Sequence, residues 1–355
     1  MVTGIERIWV GSYTGQAGEG EGIGSLGLAG AGHLAWNGVA AKAESPSFLA
    51  LHPTLPLLYA VAEFEATVQA YRVQDVDAAA SAANATDLEA VGEPWPAGAA
   101  ACHIAVDPSG HFLVVTCWGS GDVLYYELDE AGAIKSRIAA PAAADPYPQQ
   151  PNAEPRVSRA HATLVLPNGT LLTTDLGFDL LRIWNVLPGV GLVAVADIPL
   201  GYGSGPRHLV MHPSGHVYVV TEYSIEVVVL APDASAGFVI IDRVPASVGG
   251  VNEGDSAAEI TIDAAGYHVH VSVRGSNIIS TLAVYADGAQ LQAVNDADCG
   301  GDIPRHHVQV GNVILVANQG SSTVVSLALD AETGVPTSII DTLSVGTPTC
   351  LVVAR

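Results

Sequence analysis

A segment of about fifty residues recurs along this chain, and a period of that length restricts the fold more than any other feature. Each copy holds an apolar stretch, a tight turn and a second apolar stretch. The copies begin with Ser47-Phe48-Leu49-Ala50-Leu51-His52-Pro53 and His103-Ile104-Ala105-Val106-Asp107-Pro108-Ser109-Gly110. They continue with His161-Ala162-Thr163-Leu164-Val165-Leu166-Pro167-Asn168-Gly169 and Arg207-His208-Leu209-Val210-Met211-His212-Pro213-Ser214-Gly215. Glu259-Ile260-Thr261-Ile262-Asp263-Ala264-Ala265-Gly266 follows, then a shortened Arg305-His306-His307-Val308-Gln309-Val310-Gly311. Asp-Pro-Ser-Gly and His-Pro-Ser-Gly suit a type I turn, because proline presets φ at the second position and glycine suits the fourth. Each turn therefore joins two antiparallel strands.

The turn prolines 53, 108, 167 and 213, with Ala264 in the matching place, lie 55, 59, 46 and 51 residues apart, and 355 residues hold about seven such units. Short strands rich in Val, Leu and Tyr follow the turns, as in Phe112-Leu113-Val114-Val115-Thr116 and Val217-Tyr218-Val219-Val220-Thr221. Third strands such as Asp122-Val123-Leu124-Tyr125-Tyr126 come next, then Asp/Gly turns leading to a fourth. Four short strands per repeat make a propeller blade, so the expected fold is an all-β, seven-bladed β-propeller over residues 1–355 as one domain. Two packed sandwiches would not repeat at this length. The C-terminal Thr347-Pro348-Thr349-Cys350-Leu351-Val352-Val353 mimics a first strand, and Arg7-Ile8-Trp9-Val10-Gly11-Ser12-Tyr13 a second. One blade is thus expected to be closed by N- and C-terminal strands, which removes an exposed sheet edge. The Ala-rich stretch 75–95 and the Pro-rich stretch 141–155 read as long surface loops.

With 49% hydrophobic residues the chain can bury a large core, while 36 acidic against 13 basic residues give −23 at neutral pH. Such a field repels nucleic acid and anionic membranes, so neither is an expected partner. No apolar run reaches the roughly eighteen residues of a spanning helix, and Met1 to Arg7 does not resemble a signal peptide. Cys102, Cys117, Cys299 and Cys350 lack CxxC spacing and read as reduced thiols, which points to a cytoplasmic protein. The oligomeric expectation is a monomer or weak homodimer.

The first strand of each propeller blade lines the central channel, so one repeat position recurs around its mouth. That position reads Ser47, Cys102, His161, Arg207, Ala258, Arg305 and Thr349. A purely structural position would repeat one residue type; this one varies and gathers a histidine and two of the chain's eleven arginines. The end of the second strand supplies another ring: Glu63, Trp118, Asp175, Glu222, Arg274 and Asn318. If the rings stack, Arg207 and Glu222 share a blade, flanked by His161 and Arg274. His52, His111, His212 and His216 read as surface turn residues; His103, His208 and His306 read as packing between blades.

These residues resemble the lactonase family of seven-bladed propellers, which holds bacterial cytosolic 6-phosphogluconolactonases and a fungal carboxy-cis,cis-muconate cyclase. The resemblance runs through Trp9-Val10-Gly11-Ser12-Tyr13-Thr14, Ser45-Pro46-Ser47, Trp118-Gly119-Ser120-Gly121 and Thr174-Asp175-Leu176-Gly177-Phe178-Asp179. It continues in Gly205-Pro206-Arg207-His208, Thr221-Glu222 and Pro304-Arg305-His306. The family's site is a His, an Arg, a Glu and a second Arg at the channel mouth, and His161, Arg207, Glu222 and Arg274 match those places. Cys117-Trp118 departs from the family's usual Asn-Tyr, and Glu63-Phe64 lies in a shortened segment.

The resemblance implies a metal-independent lactonase without a cofactor, acting on a small anionic lactone such as 6-phosphogluconolactone. His161 or Glu222 is the expected base, with Arg207 and Arg274 on substrate and oxyanion. Arg305, His306, Trp118 and Asp175 are the expected substrate contacts. Alternatives are a muconate-type cyclase or a non-catalytic binding propeller, although the Trp-Asp and Gly-His signals of interaction propellers are missing. A calcium-dependent propeller lactonase would need Glu63, Asp175, Glu222 and Asn318 on a metal beside two repelling arginines.

Overall fold

The computed structural model describes residues 6–74, 87–149 and 154–354. Seven four-stranded antiparallel sheets form a ring, a seven-bladed β-propeller. The inner strands are β4 (Phe48–Leu51), β8 (Ala101–Val106), β12 (Ala160–Val165), β16 (Pro206–Met211), β20 (Ser256–Ile262), β24 (Pro304–Val310) and β28 (Pro348–Val353). Each packs beside the next, and β28 returns to β4 to close the hub.

The closing blade runs β28, β1 (Glu6–Ser12), β2 (Ile23–Leu28) and β3 (Leu34–Ala41), with Trp9 opposite Val352. Trp9 and Ile8 are fully buried, so the joint is cemented by apolar contact as well as by ladder hydrogen bonds. Each fully buried side chain of this kind contributes about 1.5–3 kcal/mol.

Second strands read as continuous apolar runs because both of their faces meet a neighbouring blade. Every residue of β13 (Leu171–Asp175) and β17 (Val217–Thr221) is buried. Outer strands such as β19 (Gly237–Pro245) instead alternate, one face against the next blade and one toward solvent. Blades are also stitched at a repeated place. Tyr59 Oη donates to Gly132 O at 2.6 Å, Tyr218 Oη to Gly288 O at 2.8 Å and Ser326 Oγ to Gly32 O at 2.7 Å. The accepting glycines have φ of +77°, +90° and +90°, which side chains rarely tolerate.

Three expectations are corrected. Residues 88–95, read as part of a loop, belong to β7 (Leu88–Pro96) on the outer edge of its blade; residues 75–86 of that stretch lie outside the described ones. His52 and His212 are buried and not surface residues, since each bonds the turn of the following blade, His52 Nε2 at Gly110 O (3.2 Å) and His212 Nε2 at Gly266 O (3.1 Å). His103, His208 and His306 point into the hub and do not pack between blades, for a reason set by strand register.

Candidate active site

Six of the seven inner strands carry a register shift at the mouth of the hub. The extra residues include Cys102, His161, Arg207, Ala258, Arg305 and Thr349, the lining position read from the repeat. A bulge breaks the strict alternation of a strand, so two consecutive side chains can approach the same space. Arg207 and His208 both do so, as do Arg305 and His306.

At the mouth, Glu222 follows β17 directly and Arg274 ends β21 (His268–Arg274) on the next blade. Glu222 Oε2 stands 3.1 Å from Arg207 Nε and 3.0 Å from Arg274 Nη2. Arg274 is held further by donating from Nη2 to Ala257 O at 3.2 Å. Arg207 is buried, and burial pulls its guanidinium down to about 10, with Arg274 adding to the shift and Glu222 opposing it; it stays cationic at neutral pH. Its Nε faces Glu222, while its Nη1 has no hydrogen-bond acceptor among the described residues and keeps donor capacity.

His161, on the preceding blade, is buried with an unpartnered Nδ1. Burial first, then Arg207, holds it well below the usual histidine range, so the ring is neutral and able to accept a proton at neutral pH. Its ring lies 5.1 Å from that of His208, edge to face. One layer deeper, the Phe48 ring is 4.3 Å from His103, 5.8 Å from His208 and 5.6 Å from His306. Phe48 and His208 stand on opposite sides of the ring of blades, so these side chains plug the hub and make its mouth a cup.

Glu259, on β20, is the carboxylate of this layer. It stands 2.9 Å from His208 Nδ1 and 3.2 Å from His306 Nε2. Burial pushes its carboxyl up, opposed by His306 and Arg207. The sequence reading assigned it no role. The available signal was its place in the repeat, where an acid stands in an apolar strand at the position of His103, His208 and His306.

Across the mouth, Arg305 lies 5.2 Å from the Tyr13 ring centre and donates to Gln319 Oε1 at 3.3 Å. Tyr13 Oη bonds both carboxylate oxygens of Glu63, at 3.2 and 3.1 Å. Trp118 is exposed on the rim, with the Arg159 guanidinium 3.9 Å from its ring centre. Arg159 is thus a second rim cation that the repeat did not disclose.

Asp175, expected to contact substrate, is instead committed to its own turn. Its Oδ1 accepts from the backbone N–H of Arg159 (2.8 Å), Gly177 (3.1 Å) and Phe178 (2.9 Å), and its Oδ2 from Ser158 Oγ. Asn318, from the same ring, is buried and donates to Cys299 O at 3.2 Å. Among the described residues, no group of three or more His, Cys, Asp or Glu side chains is arranged to hold a metal.

The family described as the seven-bladed β-propeller lactonases matches residues 7–353. A 6-phosphogluconolactonase of Bacillus subtilis is 27% identical over 322 residues, covering 88% of each chain. One from Formosa agariphila is 28% identical over 304 residues, covering 81% of this chain and 82% of its own. Among solved structures, a periplasmic gluconolactonase of Pseudomonas aeruginosa superposes with a TM-score of 0.88 at 24% identity, covering 99% of both chains. A putative 6-phosphogluconolactonase of Bacteroides fragilis gives 0.86 at 21% identity, covering 100% of this chain and 99% of its own. These structural likenesses carry the fold alone.

Proposed function

Because this chain belongs to the lactonase family of seven-bladed β-propellers, we propose that it hydrolyses a sugar-derived lactone at the mouth of its hub. The substrate read from its relatives is 6-phosphogluconolactone, opened to 6-phosphogluconate. The reading rests on one observation above all: a partly buried carboxylate shared by two guanidiniums beside a neutral histidine.

In this reading His161 is the base. It takes a proton from water as the water oxygen attacks the lactone carbonyl carbon. Arg207, through its Nη1 donor, and Arg274 face the oxyanion and the anionic substrate, where a fixed cation in a dry site acts most strongly. The tetrahedral intermediate collapses by breaking the ring C–O bond, and the leaving alkoxide takes the proton back from the imidazolium. Glu222 is occupied by both arginines and serves to place them. Arg305 and the Trp118–Arg159 pair offer contacts to a distal anionic group, and His306 shapes the floor. In a chain of −23 charge, these arginines concentrate positive charge where the substrate would sit. The reaction needs no metal in this scheme, and the proposed setting is the cytoplasm; among the described residues no helix is long and apolar enough to cross a membrane.

The test is hydrolysis of freshly generated 6-phosphogluconolactone, followed by acid release at neutral pH with and without EDTA, against Arg207→Ala. Turnover that survives EDTA and collapses in the variant supports the reading. A rate no faster than the spontaneous one overturns the substrate assignment, and loss of turnover in EDTA overturns metal independence.

A further inference from the structure

We propose that Glu259 is a positioning carboxylate for the hub histidines, fixing His208 and His306 in complementary tautomers so that His208 in turn braces the His161 ring. This deepens the lactonase reading and rests on it for its catalytic consequence.

The hydrogen bonds dictate the tautomers. The backbone N–H of Leu351 donates to His306 Nδ1 at 3.3 Å, so that nitrogen is the acceptor and Nε2 carries the proton. That Nε2 meets Glu259 Oε2 at 3.2 Å. His208 presents Nδ1 to the same oxygen at 2.9 Å, so its proton is on Nδ1 and its Nε2 is a bare lone pair without a partner. Glu259 is itself oriented by its other oxygen, Oε1, which accepts from Ile260 N at 3.0 Å. A base oriented through Nδ1 by a buried carboxylate is the arrangement that holds an imidazole in one tautomer and one rotamer. His161 Nδ1 has no such partner among the described residues; the His208 ring below it lies 5.1 Å away.

An ionised carboxylate costs several kcal/mol to bury unless its surroundings compensate it. Glu259 is compensated from two neighbouring strands: His208 and Arg207 on β16 and His306 on β24. His103 on β8 and His161 on β12 complete the charged and titratable groups around it through their contacts with His208. Arg207 thus has an acid above it, Glu222, and another below. Removing the charge of Glu259 makes protonation of this histidine layer harder, so the acid limb of activity would move to lower pH.

The experiment pairs ¹⁵N-histidine NMR with steady-state kinetics across pH for the wild-type chain and Glu259→Gln. The expected wild-type spectrum has His208 protonated on Nδ1 and His306 on Nε2. In Glu259→Gln that pattern is lost, kcat falls about 10–100-fold with KM within about twofold, and the acid limb shifts to lower pH. A structural role alone would lower thermal stability without moving the pH limb. The proposal is overturned if the wild-type tautomers are reversed, or if the pattern is lost while kcat and its pH profile are unchanged. Should Glu259→Gln fail to fold, Glu259→Asp keeps the charge and is expected to leave the acid limb in place; a shifted limb there overturns the proposal. If the wild-type protein opens no lactone, the lactonase reading fails by itself, and the tautomer spectrum still decides whether Glu259 fixes the histidines.

Discussion

Arg207 Nε and Glu222 Oε2 stand 3.1 Å apart within one blade, with the arginine 3% exposed and the glutamate 18%. The guanidinium is therefore buried deeper than its counterion, and Arg274 presses a second cation onto the same oxygen. Removing the acid leaves the buried Arg207 and the partly buried Arg274 facing each other without their shared counterion. Glu222→Ala is expected to lower folding stability by about 3 kcal/mol, read by urea denaturation. Glu222→Gln separates the roles: if Glu222 places the arginines and His161 is the base, it should keep more than about a tenth of kcat. Loss of about a thousandfold with stability intact would make Glu222 the base instead.

Arg274 is only partly buried and belongs to a strand end, so its removal is expected to disturb chemistry more than folding. Arg274→Ala should reduce kcat/KM about 100-fold while stability changes by less than about 1 kcal/mol. Unimpaired hydrolysis by this variant would remove Arg274 from the site.

Acid should unfold this protein through its histidines. His103, His161, His208 and His307 lie well below their ordinary range, and His306 falls to about 4, each chiefly because burial penalises the charged ring. Unfolded histidines take up protons near pH 6.5, whereas the folded ones do not. The stability is therefore fully present above about pH 6.5 and is lost as pH falls below it toward the folded values. His306 alone represents about 3 kcal/mol between those limits. Glu259, shifted upward, works in the opposite sense and offsets part of this loss. Thermal melts from pH 7.5 to 4.5 should show a steep fall in Tm beginning below about pH 6.5, and a flat profile would contradict the buried neutral histidines.

Trp118 and Asp175 occupy the same ring of the repeat yet should respond differently. Trp118→Ala removes the face on which Arg159 rests and should raise KM about two- to fivefold with kcat retained. Asp175→Ala strips the turn of its common acceptor and should cost about 3 kcal/mol of stability, with KM unchanged in the folded fraction. Equal KM effects from both variants would mean that Asp175 reaches substrate after all.

The propeller was legible because a blade is a local object. Turn chemistry at Pro108 and Pro213, apolar runs such as 217–221 and a steady spacing all reside in neighbouring residues. The closing blade was legible for the same reason, since residues 7–13 and 347–353 each carry half of the pattern. Outer strand β7 was missed because its residues, Leu88-Glu89-Ala90-Val91-Gly92-Glu93-Pro94-Trp95-Pro96, are polar and proline-bearing, as suits an outer edge strand.

Site legibility followed the same boundary. The amino-acid order alone determined which residues stand at the mouth, because one position per repeat must reach it: His161, Arg207 and Arg305, with Glu222 and Arg274 one strand away. Tertiary structure decided what the next residue does. Period-two alternation sends the neighbour of a lining residue to the opposite face, which is why His103, His208 and His306 read as packing between blades. The bulges at the starts of the inner strands cancel that alternation and deliver these rings, with Glu259, to the axis. A bulge is a relation between two paired strands, and the meeting of Glu259 with His208 and His306 is a relation among three blades. Neither is written in the spacing of residues along the chain; both arise only when seven blades close and bring positions about fifty residues apart within 3 Å or so of one another.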